Sequence, residues 1–419
     1  MREWKACSLG DVVDIGSSKR IFYEDYVAEG VPFYRSKEVI ERAKGNSVST
    51  ELFITEKKFE EISKRWGAPE QGDLLLTSVG TLGVPYLVGK GERFYFKDGN
   101  LTWFRSFKKE LSNRFLLYWF VSPIGRSELD MASIGSTQAA LTIQGLKKLE
   151  LRLPEPAEQE SITAVLSSLD AKIDLLHRQN KTLEALAETL FRQWFVELNG
   201  PSDAGGDWES TVLGKAVSVL EAGRRPPGGV SAYTSGVPSI GAESIVGLGH
   251  FDYNKTKYVP REYYDRMQRG IVKDMDVLLY KDGGRPGEFE PHVTMVGHGF
   301  PFTECCINEH VFRIRTDGVL PQSFLYFWLS SDAIMDEMRN SGTGAAIPGL
   351  NASAVRDLTL EVPPQTLMKQ FADLADPMVT RILANCKEAR TLSKLRDTLL
   401  PKLMSGEVRV EMPLSAIVV

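Results

Sequence analysis

The sequence predicts an α+β protein built from two similar units, each a mixed domain followed by a long helix. Segments recur at one fixed spacing, because Trp119 returns as Trp328 and Thr182 returns as Thr391, an offset of 209 residues in both cases. Short apolar runs bounded by turn residues indicate strands in the first part of each unit. A glycine-free stretch with heptad spacing indicates a long helix in the second part. Self-similarity on this scale predicts two copies of one domain-plus-helix unit, related by an approximate two-fold axis.

The elements of the first mixed domain can be assigned in order along the chain. Apolar runs bounded by Gly, Asp, Asn or Pro are typical of strands, and they occur at residues 74–76, 94–96, 103–104 and 149–153. Residues 113–122 have the aromatic and aliphatic density of a helix that is buried against a sheet. The loops between these anchors differ between the two copies, as expected of one scaffold that carries two specificities.

Both units end in a predicted helix with an apolar stripe. In the first copy, Asn180 is a polar interruption of the stripe. In the second copy, Pro377 is expected to begin or kink the helix. The stripe consists of Leu166, Leu169, Ile173, Leu176, Leu183, Leu190 and Trp194, and of Ile382, Ala389, Leu392, Leu395 and Leu399. Each helix must bury this stripe, and the other helix is the nearest candidate, so an antiparallel coiled coil is expected. About 25 residues of helix span ~38 Å, close to the ~34 Å of one DNA turn, so the pair could act as a ruler. The alternative is a helical hairpin with no role beyond stability.

The predicted boundaries give a first mixed domain at 1–155, a first helical region at 156–200, a second mixed domain at 201–363, a second helical region at 364–410 and a tail at 411–419. With 419 residues, 42% hydrophobic and 25% charged, the chain is long enough for two cores of ordinary size. Neither a signal segment nor a membrane-spanning run is apparent. The four cysteines lack CxxC spacing, so a reducing cytoplasm is expected.

The formal net charge of −5 argues against binding to nucleic acid, because phosphate contacts need Lys and Arg. A local positive strip can nevertheless coexist with acidic faces elsewhere. Basic clusters recur in corresponding loops of both copies, at residues 19–20, 35–37, 224–225 and 281–285.

Motifs for catalysis and metal binding are missing from the sequence. It contains no GxxxxGK[ST] phosphate loop and no Asn/Asp/Ser-Pro-Pro-aromatic tetrapeptide of the kind that amino-methyltransferases use. His292, His298 and His310 lie near Cys305 and Cys306 but lack the ligand spacing of a zinc motif. The glycine-rich residues 281–287 are better interpreted as a tight loop than as a phosphate cradle. We therefore expect no catalytic residue, cofactor or metal in this chain.

Several segments resemble the conserved regions of the specificity subunits of type I restriction–modification systems. They are Leu-Phe-Arg-Gln-Trp-Phe-Val at residues 190–196, Leu-Leu-Pro-Lys-Leu-Met-Ser-Gly-Glu-Val-Arg-Val at 399–410, and the helix entries at 153–159 and 362–365. The resemblance covers essentially the whole chain. It implies a DNA-reading subunit without catalysis, in which each mixed domain is a target-recognition domain for one half of a split sequence in double-stranded DNA. It also implies that the helices fix the spacer and that two modification subunits and the restriction subunits dock on the assembly. S-adenosylmethionine, ATP and magnesium would then bind to those partners.

Candidate DNA contacts are basic, amide, hydroxyl and carboxylate side chains in the loops of each domain. In the first domain they are Ser18, Lys19, Arg20, Arg35, Ser36, Lys37, Ser78, Thr81, Ser136, Thr137 and Gln138. In the second domain they are Arg224, Arg225, Glu243, Ser244, Tyr280, Lys281, Arg285, Ser341 and Thr343. Two alternatives remain open: a tandem-domain protein-interaction scaffold that never meets DNA, and a lone enzyme that reads and modifies DNA, against which the missing motifs count.

Overall fold

The chain separates into two compact units in a computed structural model that describes residues 4–46, 48, 50–135, 139–197, 207–283, 289–342 and 348–410. The first unit comprises Met1–Ala171 and Ser393–Val419, and the second comprises Lys172–Leu392. The division falls within both long helices. Each unit therefore contains one mixed domain and a section of each helix.

The first mixed domain alternates short strands with short helices. Its strands are β1 (Lys5–Ser8), β2 (Asp14–Gly16), β3 (Tyr26–Val27), β4 (Val31–Tyr34), β5 (Phe53–Ile54), β6 (Leu74–Thr77), β7 (Pro85–Leu87), β8 (Tyr95–Phe96), β9 (Leu101–Arg105) and β10 (Glu150–Leu153). Its helices are α1 (Leu9–Val12), α2 (Ser36–Ala43), α3 (Glu56–Trp66), α4 (Asn113–Val121), α5 (Pro123–Ala132) and α6 (Ile143–Lys147), with a 3₁₀ turn at Tyr23–Asp25.

Three sheets organise this domain. One has the order β2-β9-β6-β7 and is antiparallel throughout. A second has the order β3-β5-β4-β8, in which β4 and β8 run parallel. The third is the antiparallel pair β1-β10, which joins the first strand of the domain to its last.

The second mixed domain follows the long helix α7 (Pro156–Phe191) and its π-helical end Arg192–Val196, and it precedes α13 (Gln365–Ser405). Its strands are β11 (Glu209–Val212), β12 (Val217–Ala222), β13 (Val237–Ile240), β14 (Lys257–Val259), β15 (Val277–Tyr280), β16 (Val293–Met295), β17 (Cys306–Ile307), β18 (Val311–Thr316) and β19 (Thr359–Val362). Its helices are α8 (Leu213–Ala216), α9 (Arg261–Asp265), α10 (Gln322–Leu329), α11 (Asp332–Gly342) and α12 (Ala352–Arg356), with 3₁₀ turns at Ala242–Ser244 and Tyr253–Lys255.

The sheets of the second domain repeat the order of the first. The order β12-β18-β15-β16 corresponds to β2-β9-β6-β7, and β14-β13-β17 corresponds to β5-β4-β8 with the same parallel pair. The pair β11-β19 closes the domain as β1-β10 closes the first. The duplication inferred from the sequence is therefore present in the fold.

The core of each mixed domain is formed by a helix packed against a strand of the antiparallel sheet. In the first unit, Phe115 and Phe120 of α4 lie in one apolar cluster with Leu74 and Leu76 of β6, all of them fully buried. In the second unit, Phe324 and Leu325 of α10 pack in a cluster with Val277 and Leu279 of β15. The predicted strands at residues 74–76 and 103–104 and the predicted helix at 113–122 are confirmed, as is the α+β class.

The two long helices pair antiparallel within each unit. In the first unit, an Arg396 nitrogen (Nη1) lies 2.8 Å from the Asp170 carboxylate. In the second unit, the Lys172 ammonium lies 3.3 Å from Glu388, and the Asn385 amide donates a 2.9 Å hydrogen bond to the Asn180 side-chain oxygen. Further along, Phe191 contacts Phe371 with ring centroids 5.9 Å apart. Residue numbers fall on α13 as they rise on α7, which is the antiparallel order.

The predicted stripe is buried to different degrees. Leu166, Ile173, Leu176 and Ile382 are buried, and Leu169, Leu183, Leu190, Trp194, Leu392 and Leu399 are partly buried. Leu395 departs from the expectation, because it is 46% exposed. The helix α13 begins at Gln365 and passes through Pro377. Pro377 therefore does not begin the helix.

Candidate nucleic-acid interface

A loop at residues 17–25 connects β2 to β3 and presents the first basic pair. The Ser18 hydroxyl donates to the Phe96 carbonyl at 2.7 Å, and the Lys19 amide donates to the Tyr95 hydroxyl at 2.8 Å. Ile21 is buried, whereas Lys19 and Arg20 are exposed. The guanidinium of Arg20 lies 2.9 Å from Asp98. Ser18 therefore anchors the 17–25 loop, and its neighbours point both charges outward.

Lys19 belongs to a cluster that the sequence analysis missed, the Trp66 cluster of Lys19, Arg65, Trp66 and Arg105. The Lys19 ammonium lies 5.2 Å and the Arg65 guanidinium 4.7 Å from the Trp66 ring centroid. Arg105 donates to the Trp66 carbonyl at 3.2 Å and covers the Trp103 ring at 4.4 Å. Within the described ranges, no carboxylate forms an ion pair with these three cations. They form a positive patch with aromatic faces, a combination suited to phosphates and bases.

Gly67 allows α3 to end beneath this cluster. Its φ is +87°, a left-handed conformation that favours glycine, and an added Cβ would lie 3.1 Å from the guanidinium of Arg105. The only local hint in the sequence is the adjacent pair Arg65-Trp66. The cluster itself joins three distant parts of the chain, so no local pattern could have revealed it.

Arg35, Ser36 and Lys37 lie at the start of α2. Arg35 donates a 2.8 Å hydrogen bond from Nη2 to Glu38, whose side chain is fully buried. Burial pushes the pKa of Glu38 upward, but hydrogen bonds from the Arg35 side chain and backbone outweigh it and hold that pKa below its usual value. Arg35 is thus engaged by the fold, and Lys37 is the exposed cation at this end of the helix.

Two predicted serines lie inside their units, which corrects the expectation that they contact DNA. Ser78 is 2% exposed and its hydroxyl lies 2.6 Å from that of Thr102. Ser244 is 3% exposed. Thr81, in contrast, is exposed in the turn between β6 and β7.

Two of the predicted residues of the second unit, Glu243 and Tyr280, line one cavity. The cavity has a volume of about 540 Å³ and is lined by Ala242, Glu243, Ile245, Val246, Tyr280, Asp282, Gly283, His292 and His310. The Lys281 ammonium lies 2.9 Å from the lining residue Asp282, which also hydrogen-bonds His310. Nε2 of His310 is 3.4 Å from Glu309, and Glu309 is 3.0 Å from the guanidinium of Arg225. Arg224 is exposed beside this chain of charges.

The carboxylates in this cavity are held in the ionised form. Burial raises the pKa of Glu243, but the Lys257 ammonium 2.5 Å away lowers it further than burial raises it. The pKa of Asp282 is likewise lowered overall, because hydrogen bonds from His310 and Lys281 outweigh its burial. Ionised carboxylates accept hydrogen bonds from amino groups such as those on the major-groove edges of cytosine and adenine.

The remaining predicted contacts divide into two groups. Ser36 is half-buried, with its hydroxyl 3.5 Å from the Asn100 carbonyl, and Ser341 is exposed near the end of α11. Ser136, Thr137, Gln138, Arg285 and Thr343 lie outside the described residues.

Neither a metal site nor a membrane span is found in the part of the chain that the structure describes. No group of three or more His, Cys, Asp or Glu side chains is arranged to hold a metal ion there. Cys305 and Cys306 are both buried and free. No helix among the same residues is long and apolar enough to cross a membrane.

Comparisons with known proteins agree with one another. Residues 1–185 match the model of the type I restriction modification DNA specificity domain. The MjaIX specificity subunit of Methanocaldococcus jannaschii is 26% identical, covering 98% of this chain and 94% of that protein. The HindI specificity subunit of Haemophilus influenzae is 21% identical, covering 66% of this chain and 72% of that protein.

The fold is also similar to that of a solved structure. The S subunit of a type I restriction–modification system from M. genitalium is 14% identical and superposes with a TM-score of 0.61, covering 98% of this chain and 97% of that one. This likeness shows only that the folds are similar. The similarity in sequence is shown by the family model and the two specificity subunits. Over nearly its whole length, the chain is therefore similar in sequence to a type I restriction enzyme specificity subunit.

Proposed function

We propose that this chain is the non-catalytic, sequence-specific DNA-recognition subunit of a type I restriction–modification complex. The observation that carries the proposal is the pair of corresponding loops after β2 and β12. They present Lys19 and Arg20 in one copy and Arg224 and Arg225 in the other, on a chain whose net charge is −5. Two domains that share one sheet order but carry different charged loops are suited to recognising different half-sites.

The two domains offer different groups for reading. In the first, the Trp66 cluster provides three cations without carboxylate partners among the described residues, which favours phosphate contact. In the second, Glu243 and Asp282 provide acceptors, and Arg224 provides an exposed cation. We infer that the recognition domains are residues 1–155 and 201–363, with the variable loops as the specificity determinants.

The long helices are proposed to set the spacer between the half-sites and to dock two modification subunits, with restriction subunits joining them. Exposed apolar side chains on the helices, Leu175, Leu186 and Leu374, are available for such contacts. The proposal includes a cytoplasmic location. S-adenosylmethionine, ATP and magnesium would be bound by the partners.

Mapping adenine methylation across the host genome, with and without this gene, tests the proposal. The expected result is the loss of a single split motif, which gives both half-sites and the spacer. If the pattern does not change, the chain is co-expressed with a type I modification subunit from the same host, and mapping is repeated. A persistent absence of the motif, together with no salt-dependent binding to duplex DNA, would favour a protein-interaction scaffold instead.

A further inference from the structure

Two aromatic side chains stand exposed at the tip of the 17–25 loop. Phe22 is 57% exposed and Tyr23 is 90% exposed. Tyr23 begins the 3₁₀ turn that ends at Asp25. Its only ring contact among the described residues is an edge contact with Tyr26, at a centroid distance of 6.2 Å. Large aromatic side chains held in water in this way indicate a binding partner.

The loop holds this aromatic pair in a defined place. Ile21 is buried in the cluster of Val31, Phe33, Ile54 and Tyr95, immediately before the pair. The Asp25 carboxylate accepts the Phe22 backbone amide at 3.3 Å and lies 3.0 Å from the Lys58 ammonium. Anchors therefore exist on both sides of the exposed rings, and the rings are presented by a fixed backbone.

The second copy shows that the fold does not require the pair. Val230 takes the place of Ile21, because it is buried against Val237, Val259 and Cys306 on the corresponding strands. The next two residues in that copy, Ser231 and Ala232, are small and exposed. The aromatic pair is thus a property of the first copy alone.

We propose that Phe22 and Tyr23 pack against bases of duplex DNA in the half-site read by the first unit. This inference rests on the proposed function and adds a specificity element that only one half-site meets. Charge complementarity favours DNA as the occupant, since Lys19 and Arg20 precede the pair and Lys19 joins the loop to the Trp66 cluster. Glu24 is the exposed acidic neighbour, and Asp25 and Asp98 are paired with Lys58 and Arg20.

Aromatic contact with bases has a distinct energetic signature. Stacking on a base or wedging between base steps buries apolar surface and neutralises no phosphate. Removing the pair should therefore weaken binding equally at all salt concentrations. Removing a phosphate contact should instead reduce the slope of log affinity against log salt.

The test uses the complex of this chain with its co-expressed modification subunits and a labelled duplex that carries the mapped motif. The double variant F22S/Y23A copies the second loop and should bind roughly tenfold to hundredfold more weakly, with an unchanged salt slope. Tyr23→Phe should retain binding and Tyr23→Leu should lose it. Val319→Ala, which truncates a side chain that is 53% exposed in the second unit, is the matched control and should bind as wild type.

The outcomes separate this inference from the proposed function. If the wild-type complex does not bind the duplex, the proposed function itself fails. If it binds and the double variant binds equally well, the aromatic inference is overturned. If the double variant loses modification subunits, but the fraction that keeps them binds the duplex as tightly as wild type, the pair contacts protein and the aromatic inference is likewise overturned. The single variants Phe22→Ser and Tyr23→Leu, with thermal melting as a folding check, replace the double variant if it misfolds.

Discussion

Corresponding aspartates of the two copies have different polar partners, although the sheets beside them have the same strand order. Asp73 precedes β6 and accepts a 2.8 Å hydrogen bond from the Trp103 indole. Asp276 precedes β15, is fully buried, and lies 3.0 Å from Arg313. Trp103 and Arg313 share a register position, opposite Leu75 and Leu278 respectively. The aspartate has an uncharged indole as its side-chain partner in one copy and a guanidinium in the other.

Removing the aspartate should therefore cost more in the second copy. Asp276→Ala removes the carboxylate that Arg313 and Arg315 share, and among the described residues it leaves Arg313 with Glu221, at 2.9 Å, as its acidic partner. It should lower the free energy of unfolding by about 3–5 kcal/mol. Asp73→Ala leaves one indole N–H unsatisfied and should cost about 1–3 kcal/mol. Chemical denaturation of both variants checks the order, and an equal loss would contradict the assigned roles.

The positive patch of the first unit gives a prediction on salt dependence. If Lys19 and Arg65 contact phosphates, each change to alanine should reduce the slope of log affinity against log salt by about 1. Arg93→Ala is the matched control, because Arg93 is already paired with Glu56 and should leave the slope unchanged. Titrations of duplex DNA at several salt concentrations measure all three, and equal slopes would rule out Lys19 and Arg65 as phosphate contacts.

Sequence reasoning located some site residues and misplaced others for physical reasons. Adjacent charges such as Lys19-Arg20 are costly to bury, so their exposure was predictable. Ser78 follows a buried strand, and a small hydroxyl can either face solvent or bond inward, so the pattern could not decide. Arg105 joins Trp66 only through the packing of β9 beside the end of α3, which requires the tertiary fold.

At the scale of elements, the helix pair carries a polar layer in its apolar seam. Asn180 was expected as a polar interruption, and the structure supplies its partners. Its amide nitrogen lies 3.1 Å from the Cys386 sulfur, and its oxygen accepts from Asn385, which is 1% exposed. The partner on the other helix was not visible in the periodicity, because Asn385 is a neighbour of the stripe and not a member of it.

The polar layer should behave as a coupled pair. Asn180→Leu leaves the buried Asn385 amide without its acceptor and should destabilise the chain by about 1–3 kcal/mol. The double change Asn180→Leu/Asn385→Leu removes both partners and should recover most of that loss. A double-mutant cycle by chemical denaturation measures the coupling, and strictly additive losses would mean that the two amides do not depend on each other.

A carboxyl on the same helix makes stability depend on pH. Burial, together with the nearby charge of Glu188, raises the pKa of Glu184 from its ordinary 4.5 to about 7. An acid whose pKa is raised on folding stabilises the fold fully below pH 4.5, and that contribution is lost as the pH rises to about 7. Glu184→Gln should therefore raise the melting temperature by roughly 2–4 °C at pH 8 and leave it unchanged at pH 4.5. An equal gain at both pH values would contradict the raised pKa.

At the scale of the whole molecule, the duplication was the best-predicted feature. Buried positions such as Trp119 and Trp328 have the same residue in both copies because the core constrains side-chain volume. The repeat can therefore still be recognised in the sequence. Loop residues face no such constraint. The positions that distinguish the copies, Phe22 and Tyr23 against Ser231 and Ala232, could therefore be assigned only from the folded chain.

Exchange of a whole mixed domain gives a prediction at this scale. Replacing residues 209–362 with the matching segment of another specificity subunit should change one half of the methylated motif and leave the other half and the spacer intact. Genome-wide methylation mapping of the hybrid provides the measurement, with the untouched chain as control. A change in both halves, or in the spacer, would show that the domains do not read independently.

The strand pair β11-β19 makes such an exchange mechanically simple. Glu209 lies opposite Val362, and neighbouring strands are about 4.8 Å apart, so the chain enters and leaves the second mixed domain at nearly one point. The first mixed domain is clasped in the same way by β1 and β10. A cassette with adjoining ends can be replaced without moving the segments that flank it. Recombination at two joints can therefore give the encoded protein a new target half-site while the rest of the chain is inherited unchanged.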